Sequence, residues 1–246
     1  MLHFGTVRHR LDQLLWALLP GICILCDSNS RMAADLCEHC RDALPRLSSP
    51  CRRCALPVSN AADTLCDTCR SHAPPYSRTI AALQYAAPVT RMIHRLKFRG
   101  SRIDARVLGG LLASVIADSY ADQPLPDLIV PVPLSRRRLT RRGHNQAALL
   151  ARWLGVPFDP LACERVRDTP PQAGLSRTRR LHNLTDAFAT SRRFDDLCVA
   201  VVDDVMTTGS TVAALTRTLL AAGAKEVHVW IAARTLQPAR ESALLE

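Results

Sequence analysis

The sequence predicts an α/β protein: an open, mainly parallel sheet flanked by helices, with a small cysteine-rich module in front of it. Three observations carry this. The apolar runs DLIVPV (Asp127–Val132) and VAVV (Val199–Val202) are too short for helices and rich in β-branched residues, as strands covered on both faces are. Amphipathic stretches, from Val107 to Tyr120 and through Val212, Leu215 and Leu219, have the spacing of helices that cover such strands. Eight of the ten cysteines precede residue 70, in four CxxC pairs.

With 246 residues and 48% hydrophobic content, the chain can bury one ordinary domain and a small one, which excludes a disordered tail. The formal charge of +10 favours an anionic partner: a phosphate, a nucleotide or a nucleic acid. Leu14, Leu15, Trp16, Ala17, Leu18 and Leu19 follow basic residues as a signal peptide would, but the run ends at Pro20 without a small-residue cleavage site. No stretch reaches the roughly 18 apolar residues of a membrane span. The expectation is a cytoplasmic protein that is not integral to a membrane, with a short N-terminal helix.

The CxxC pairs are Cys23 with Cys26, Cys37 with Cys40, Cys51 with Cys54, and Cys66 with Cys69, separated by spacers of ten or eleven residues. Each tight turn aims two thiolates at one tetrahedral ion, so two turns complete a zinc site and four imply two structural zinc ions. The simplest pairing joins the first two knuckles around one ion and the last two around another, and the spacing does not exclude an interleaved one. Disulfides are disfavoured without an export signal. His39 and His72 lie beside knuckles that already have four cysteines, so neither is expected as a ligand.

Ser71 to Tyr76, polar and Pro-paired, reads as a linker between a module at residues 1–73 and a domain at residues 76–246. Thr79 to Tyr85 reads as a strand and Val89 to Leu96 as a helix, and Lys97, Phe98, Arg99 and Gly100 read as a turn bearing two cations. Gly109 and Gly110, within the Val107–Tyr120 helix, suggest close packing. Beyond Pro133, the five arginines Arg136, Arg137, Arg138, Arg141 and Arg142 read as one loop at a strand's carboxyl end, where they would repel one another unless an anion sat among them. A helix through Leu149, Leu150 and Trp153 follows. The basic stretch from Arg165 to Asn183, with its Pro and Gly residues, suggests either a lid or a solvated connector. Cys163 and Cys198 read as ordinary buried thiols, and Glu226 to Ala233 as the last strand.

The chain is organised around Val199–Thr211, VAVVDDVMTTGST: a buried strand, two acids, a hydroxyl-and-glycine turn and a helix. Amide hydrogens where the turn enters the helix, with short hydroxyls beside them, suit a phosphate monoester. Gly209 lets the backbone approach it. The adjacent carboxylates suit the cis hydroxyls of a ribose and a magnesium ion.

This stretch resembles the phosphoribosyl pyrophosphate (PRPP) motif of type I phosphoribosyltransferases. Together with the four knuckles, LKFRG, PVPLSRRRLTRRGHNQA and RVRDTPPQAGLSRTRRLHN, in that order, it resembles the ComF family over nearly the whole chain. The resemblance implies a double zinc ribbon and a type I phosphoribosyltransferase-like domain. Asp203 and Asp204 would hold the ribose hydroxyls and magnesium, and Thr207, Thr208, Gly209, Ser210 and Thr211 would cradle the 5′-phosphate. The arginine loop, with Arg136, Arg141, Arg142 and the following Gln146, would face the pyrophosphate. His144 stands where family members usually have Phe, Ser135 where His is common, and Thr207 where some purine-handling relatives keep an acid. Two functions agree with this. One is magnesium-assisted transfer of the phosphoribosyl group to a nitrogen base, with pyrophosphate leaving. The other is non-catalytic sensing of PRPP or a related phosphosugar or nucleotide by a protein that binds single-stranded DNA alongside the competence machinery. Only 4% of residues are aromatic, and none is an evident platform for a base.

Overall fold

The computed structural model describes residues 21–30, 35–58, 60, 62–167 and 187–236. The expected N-terminal helix and most of the basic stretch before Asn183 lie outside them. The chain divides into two compact units, Met1–Leu44 and Pro45–Glu246.

The first unit holds β1 (Gly21–Ile22) and β2 (Asn29–Ser30), paired antiparallel, and α1 (Glu38–Asp42). Cys37 caps α1, its Sγ accepting from the Cys40 amide at 3.4 Å. Leu36 and Leu44 are its buried aliphatic residues among those described.

The second unit begins with the last two knuckles, whose Cys66 precedes α2 (Asp67–Ser71). The sheet follows, built from β3 (Arg78–Gln84), β4 (Leu128–Pro131), β7 (Cys198–Met206) and β8 (Glu226–Arg234), in the order β3-β8-β7-β4 and parallel throughout. Between β4 and β7 the short strands β5 (Glu164–Arg165) and β6 (Phe188–Ala189) pair antiparallel. β7 and β8 occupy the middle of the sheet, which is why their sequences are nearly continuous apolar runs.

Alternate residues serve opposite faces. Val199 and Val201 of β7 and Val227, Val229 and Ile231 of β8 share a core with Val212, Leu215 and Leu219 of α7 (Ser210–Ala221) and with Cys51, Cys54 and Cys69. Burying each valine or leucine contributes about 1.5–3 kcal/mol. His228 and Trp230 fall one residue out of that phase and meet Tyr120, at the end of α4 (Arg102–Ser119), whose hydroxyl accepts from Trp230 Nε1 at 3.3 Å. α4 lies against β3 and β8, and α6 (Gln146–Ala151) against β4 and β7. A Cβ at Gly109 would lie 2.7 Å from Trp153 Cβ, so this glycine is where the next segment packs in; Gly110 faces nothing within 4 Å.

The compact units divide at Leu44, which groups the second knuckle pair with the sheet. Tyr76 is buried, and Thr79 donates from its amide and hydroxyl to the carbonyls of Arg52 and Arg53, tying the stretch after the supposed linker to the knuckle. Lys97, Phe98 and Arg99 form the last turn of α3 (Val89–Arg99), and Gly100, at φ 61°, stops it. The arginine run is a helix, α5 (Arg136–Arg142), rather than a loop. Ser135 caps it by accepting from Arg138, and Gly143, at φ 72°, ends it. Arginine is a good helix former, and the start and stop at Ser135 and Gly143 outweigh the like-charge repulsion that remains between residues one turn apart.

Candidate functional site

Because all four sheet strands are parallel, their carboxyl ends share one edge, and the elements leaving that edge build the site. β7 runs on through the acid pair to Met206, so Asp203 and Asp204 project to opposite faces. Asp203 borders a hollow lined also by Val205 and by Met206 to Val212. Its Oδ1 accepts from the Asp204 amide at 2.8 Å. Withdrawal from water and the neighbouring Asp204 carboxylate push the Asp203 carboxyl well above the ordinary carboxylate range. Asp204 is buried on the other side and ion-paired to Lys97 Nζ at 2.8 Å.

The turn is shaped by Gly209, at φ 78°, which precedes the first residue of α7. A Cβ there would lie 2.8 Å from both Met206 Cε and Tyr76 Oη, so the position excludes side chains by conformation and by space. Thr207 and Thr208 are exposed, and Thr208 Oγ1 and Ser210 Oγ are 2.9 Å apart. Amides at a helix start have no partner within the helix, which suits an anion.

The arginine helix divides its residues. Arg142 donates to Gln146 Oε1 at 3.1 Å and lies over the Phe98 ring at 5.4 Å. Its Nε is buried without a hydrogen-bond partner. Burial weakens its hold on the proton, while the carboxylates of Asp204 and Asp203 strengthen it, so its charge acts on the acid pair. Gln146 is buried at the start of α6. Arg141 is exposed, and Arg136 turns toward Glu164 of β5 at 3.9 Å. The structure thus brings together Asp203 and the Thr207–Thr211 turn in one hollow, sets Arg142, bonded to Gln146, within electrostatic reach of the acid pair, and turns Arg136 toward Glu164.

Three residues without a predicted role hold this frame. Lys97 pairs with Asp204 from the last turn of α3. His144 places Nδ1 2.7 Å from the Arg142 carbonyl and Nε2 2.8 Å from that of Leu96, docking α3 on the α5–α6 connection. Arg234 ends β8 as a buried cation at the close of an apolar strand, which was the one sequence signal available for it.

The eight paired cysteines gather as two groups, Cys23, Cys26, Cys37 and Cys40, and Cys51, Cys54, Cys66 and Cys69. This is the simpler of the two pairings, first knuckle with second and third with fourth. The Sγ atoms of Cys26 and Cys37 are 3.7 Å apart, and those of Cys54 and Cys66 are 3.6 Å apart. A tetrahedron with zinc–sulfur bonds of about 2.3 Å has an edge of about 3.8 Å, whereas a disulfide needs about 2.05 Å. Burial pushes the Cys54 thiol up to about 11, and burial with Cys54 beside it drives Cys69 higher still. Four thiolates therefore fit together only around a cation. These are two structural zinc sites, and neither includes His39 or His72.

Cys163 is a buried thiol, as expected. Cys198 is only half-buried and lies 4.0 Å from His228 Nδ1. That histidine is already satisfied by Tyr120 Oη at 2.5 Å and Glu226 Oε1 at 3.1 Å. A larger open depression of about 560 Å³ beside Arg192, Arg193 and Arg217 lies outside the acid-pair turn. Two of its arginines are paired, with Asp159 and Asp195 at 2.7 and 2.6 Å. No described helix is long and apolar enough to cross a membrane.

A family model described as a double zinc ribbon domain matches residues 14–70. The chain is 40% identical over 225 residues to the DNA utilization protein YhgH of Salmonella typhi, a match covering 89% of this chain and 99% of that one. It is 34% identical over 222 residues to Competence protein F of Haemophilus influenzae, covering 86% and 96%. Among solved structures it is similar to a purine phosphoribosyltransferase from Pyrococcus horikoshii Ot3, at 18% identity and a TM-score of 0.33, over 68% of this chain and 98% of that one.

Proposed function

We propose, for a chain that belongs to the ComF family of competence and DNA-utilization proteins, that it binds PRPP with magnesium at the β7–α7 turn and serves the use of incoming DNA. One observation carries the reading: a carboxylate, a glycine held at positive φ and a hydroxyl-lined helix start meet in one hollow at the carboxyl edge of a parallel sheet. Thr207 to Thr211 take the 5′-phosphate through amides and hydroxyls. Asp203 takes the ribose hydroxyls. With the phosphate oxygens of the ligand, its carboxylate also matches the one-carboxylate oxygen set that magnesium commonly accepts. Asp204, fixed by Lys97, sets the charge of the neighbouring wall. Arg142 and Gln146 lie toward the diphosphate, where Arg142 has an unengaged N–H and Arg141 is free to follow.

Magnesium supplies charge neutralisation at the diphosphate when bound. Three or four hydrogen bonds to a charged ligand at roughly 1.5–3 kcal/mol each suffice to hold a sugar phosphate without contact to a base. Calorimetric titration of PRPP and magnesium into the zinc-loaded protein should give one saturable site, lost in Asp203→Ala. A wild-type protein that takes up no PRPP would refute the reading.

Binding without turnover is the second reading. It is favoured by the lining of the hollow, which offers no aromatic ring to a base and no unpaired carboxylate besides Asp203 among the described residues. Release of pyrophosphate in the presence of one nucleobase, abolished in Asp203→Ala, would decide for the enzyme. A salt-dependent affinity for single-stranded DNA that survives the same substitution would decide for the binding protein.

A further inference from the structure

The structure assigns Arg234 as a positioning residue that ties the phosphate-binding turn to the second zinc site, so that occupancy of one end sets the order of the other. Arg234 is 3% exposed and ends β8 in register with Met206 of β7. Its guanidinium reaches both ways. Nε donates to the carbonyl of Cys54, a ligand of the second zinc site, at 2.9 Å. Nη1 donates to the carbonyls of Met206 at 2.8 Å and Thr235 at 3.0 Å, and also to that of Thr207. Met206 and Thr207 are the residues from which the turn departs. One buried cation therefore fixes the start of the turn against the backbone of a zinc knuckle.

Two further facts make this more than a cap on a strand. Four thiolates around a divalent ion carry net negative charge, so the zinc-loaded knuckle offsets the buried guanidinium beside it. Tyr76, in the same core cluster as Cys51, Cys54 and Cys69, places its hydroxyl against Gly209 and closes the turn from the same side. Emptying the second site frees the Cys54 carbonyl, leaves the guanidinium without its counter-charge and releases the turn. Every contact is to the second site, so the first should have no such effect. By linkage, a ligand on the turn should hold the second zinc more tightly. This last step alone rests on the PRPP reading.

The test uses the full-length zinc-loaded chain. Hydrogen exchange at residues 207–211, without any ligand, should rise about tenfold in Arg234→Met and in Cys69→Ser, the equivalent of one lost charge-assisted hydrogen bond. It should return toward the wild-type rate in Arg234→Lys and stay unchanged in Cys40→Ser. An unmoved turn in the first two variants, or an equal rise throughout β7 and β8, overturns the proposal. Should those variants not fold, zinc transfer to a chromophoric chelator decides. Arg234→Gln should speed one of two release phases relative to the wild type and Arg234→Lys should restore it, and a wild-type rate in both phases of Arg234→Gln would again overturn it. In the wild type, PRPP with magnesium should slow that same phase. Should PRPP change nothing while the Arg234 variants loosen the turn, the tie stands and the PRPP reading falls.

Discussion

Replacing Lys97 by Met tests whether the acid pair is held as described. The ammonium lies 2.8 Å from Asp204 Oδ2, with Asp204 3% exposed and the Lys97 side chain 24% exposed. At an effective dielectric constant of about 20, two charges at that distance attract by about 6 kcal/mol, much of it cancelled by the cost of taking both from water. Breaking a buried pair and stranding its carboxylate costs about 3–5 kcal/mol. The partial exposure of Lys97 places this pair at the lower end, about 3 kcal/mol. In urea, with a slope of about 2 kcal/mol per molar, the unfolding midpoint of the zinc-saturated protein should fall by about 1.5 M. Asp204→Asn should cost about 1 kcal/mol, because the lysine it frees can turn to solvent. The double variant should recover about 2 kcal/mol relative to the sum of the singles. Additivity within about 0.5 kcal/mol would show that the two groups do not couple and would refute the arrangement.

Metal analysis of the purified chain should give close to two zinc per molecule, falling to one in Cys69→Ser; four disulfides without zinc would overturn both metal centres. Gly209→Ala forces a side chain onto positive φ and against Met206 and Tyr76. It should lower stability by about 1–2 kcal/mol by urea unfolding and weaken PRPP binding at least tenfold by calorimetry. His228 carries a pH signature. Burial lowers its affinity for the proton, against the pull of Glu226, so the folded state favours the neutral ring. Below its ordinary value of about 6.5 the unfolded chain takes up a proton that the folded chain resists, and stability falls as pH falls. The stability of His228→Gln should vary less between pH 6.5 and 5 than that of the wild type, and identical slopes would count against a buried neutral histidine.

What was legible in the sequence was local. The valines of β7 and the TTGS turn announce themselves within a dozen residues, by period and by turn chemistry, and the CxxC spacing fixes its ligand type in four. The opposed directions of Asp203 and Asp204 follow from strand alternation, but only once β7 is known to continue to Met206. The like charges of the arginine run argue for a loop, and they hide Ser135 and Gly143, which are the start and stop signals of a short helix. The membership of the second knuckle pair in the sheet domain could not be read at all. Its ties run from Cys54 to Arg234, across 180 residues, and from Thr79 to Arg53, where the sequence shows only a polar, Pro-containing stretch.

That separation has a consequence for how the protein is made. The second knuckle pair leaves the ribosome before β8, whose Arg234 lies 180 residues beyond Cys54. Its thiols are therefore open to metal, and to oxidants, before the strand that packs over them is made. Cells starved of zinc while producing this chain should accumulate misoxidised polypeptide whose sheet has no knuckle to close against.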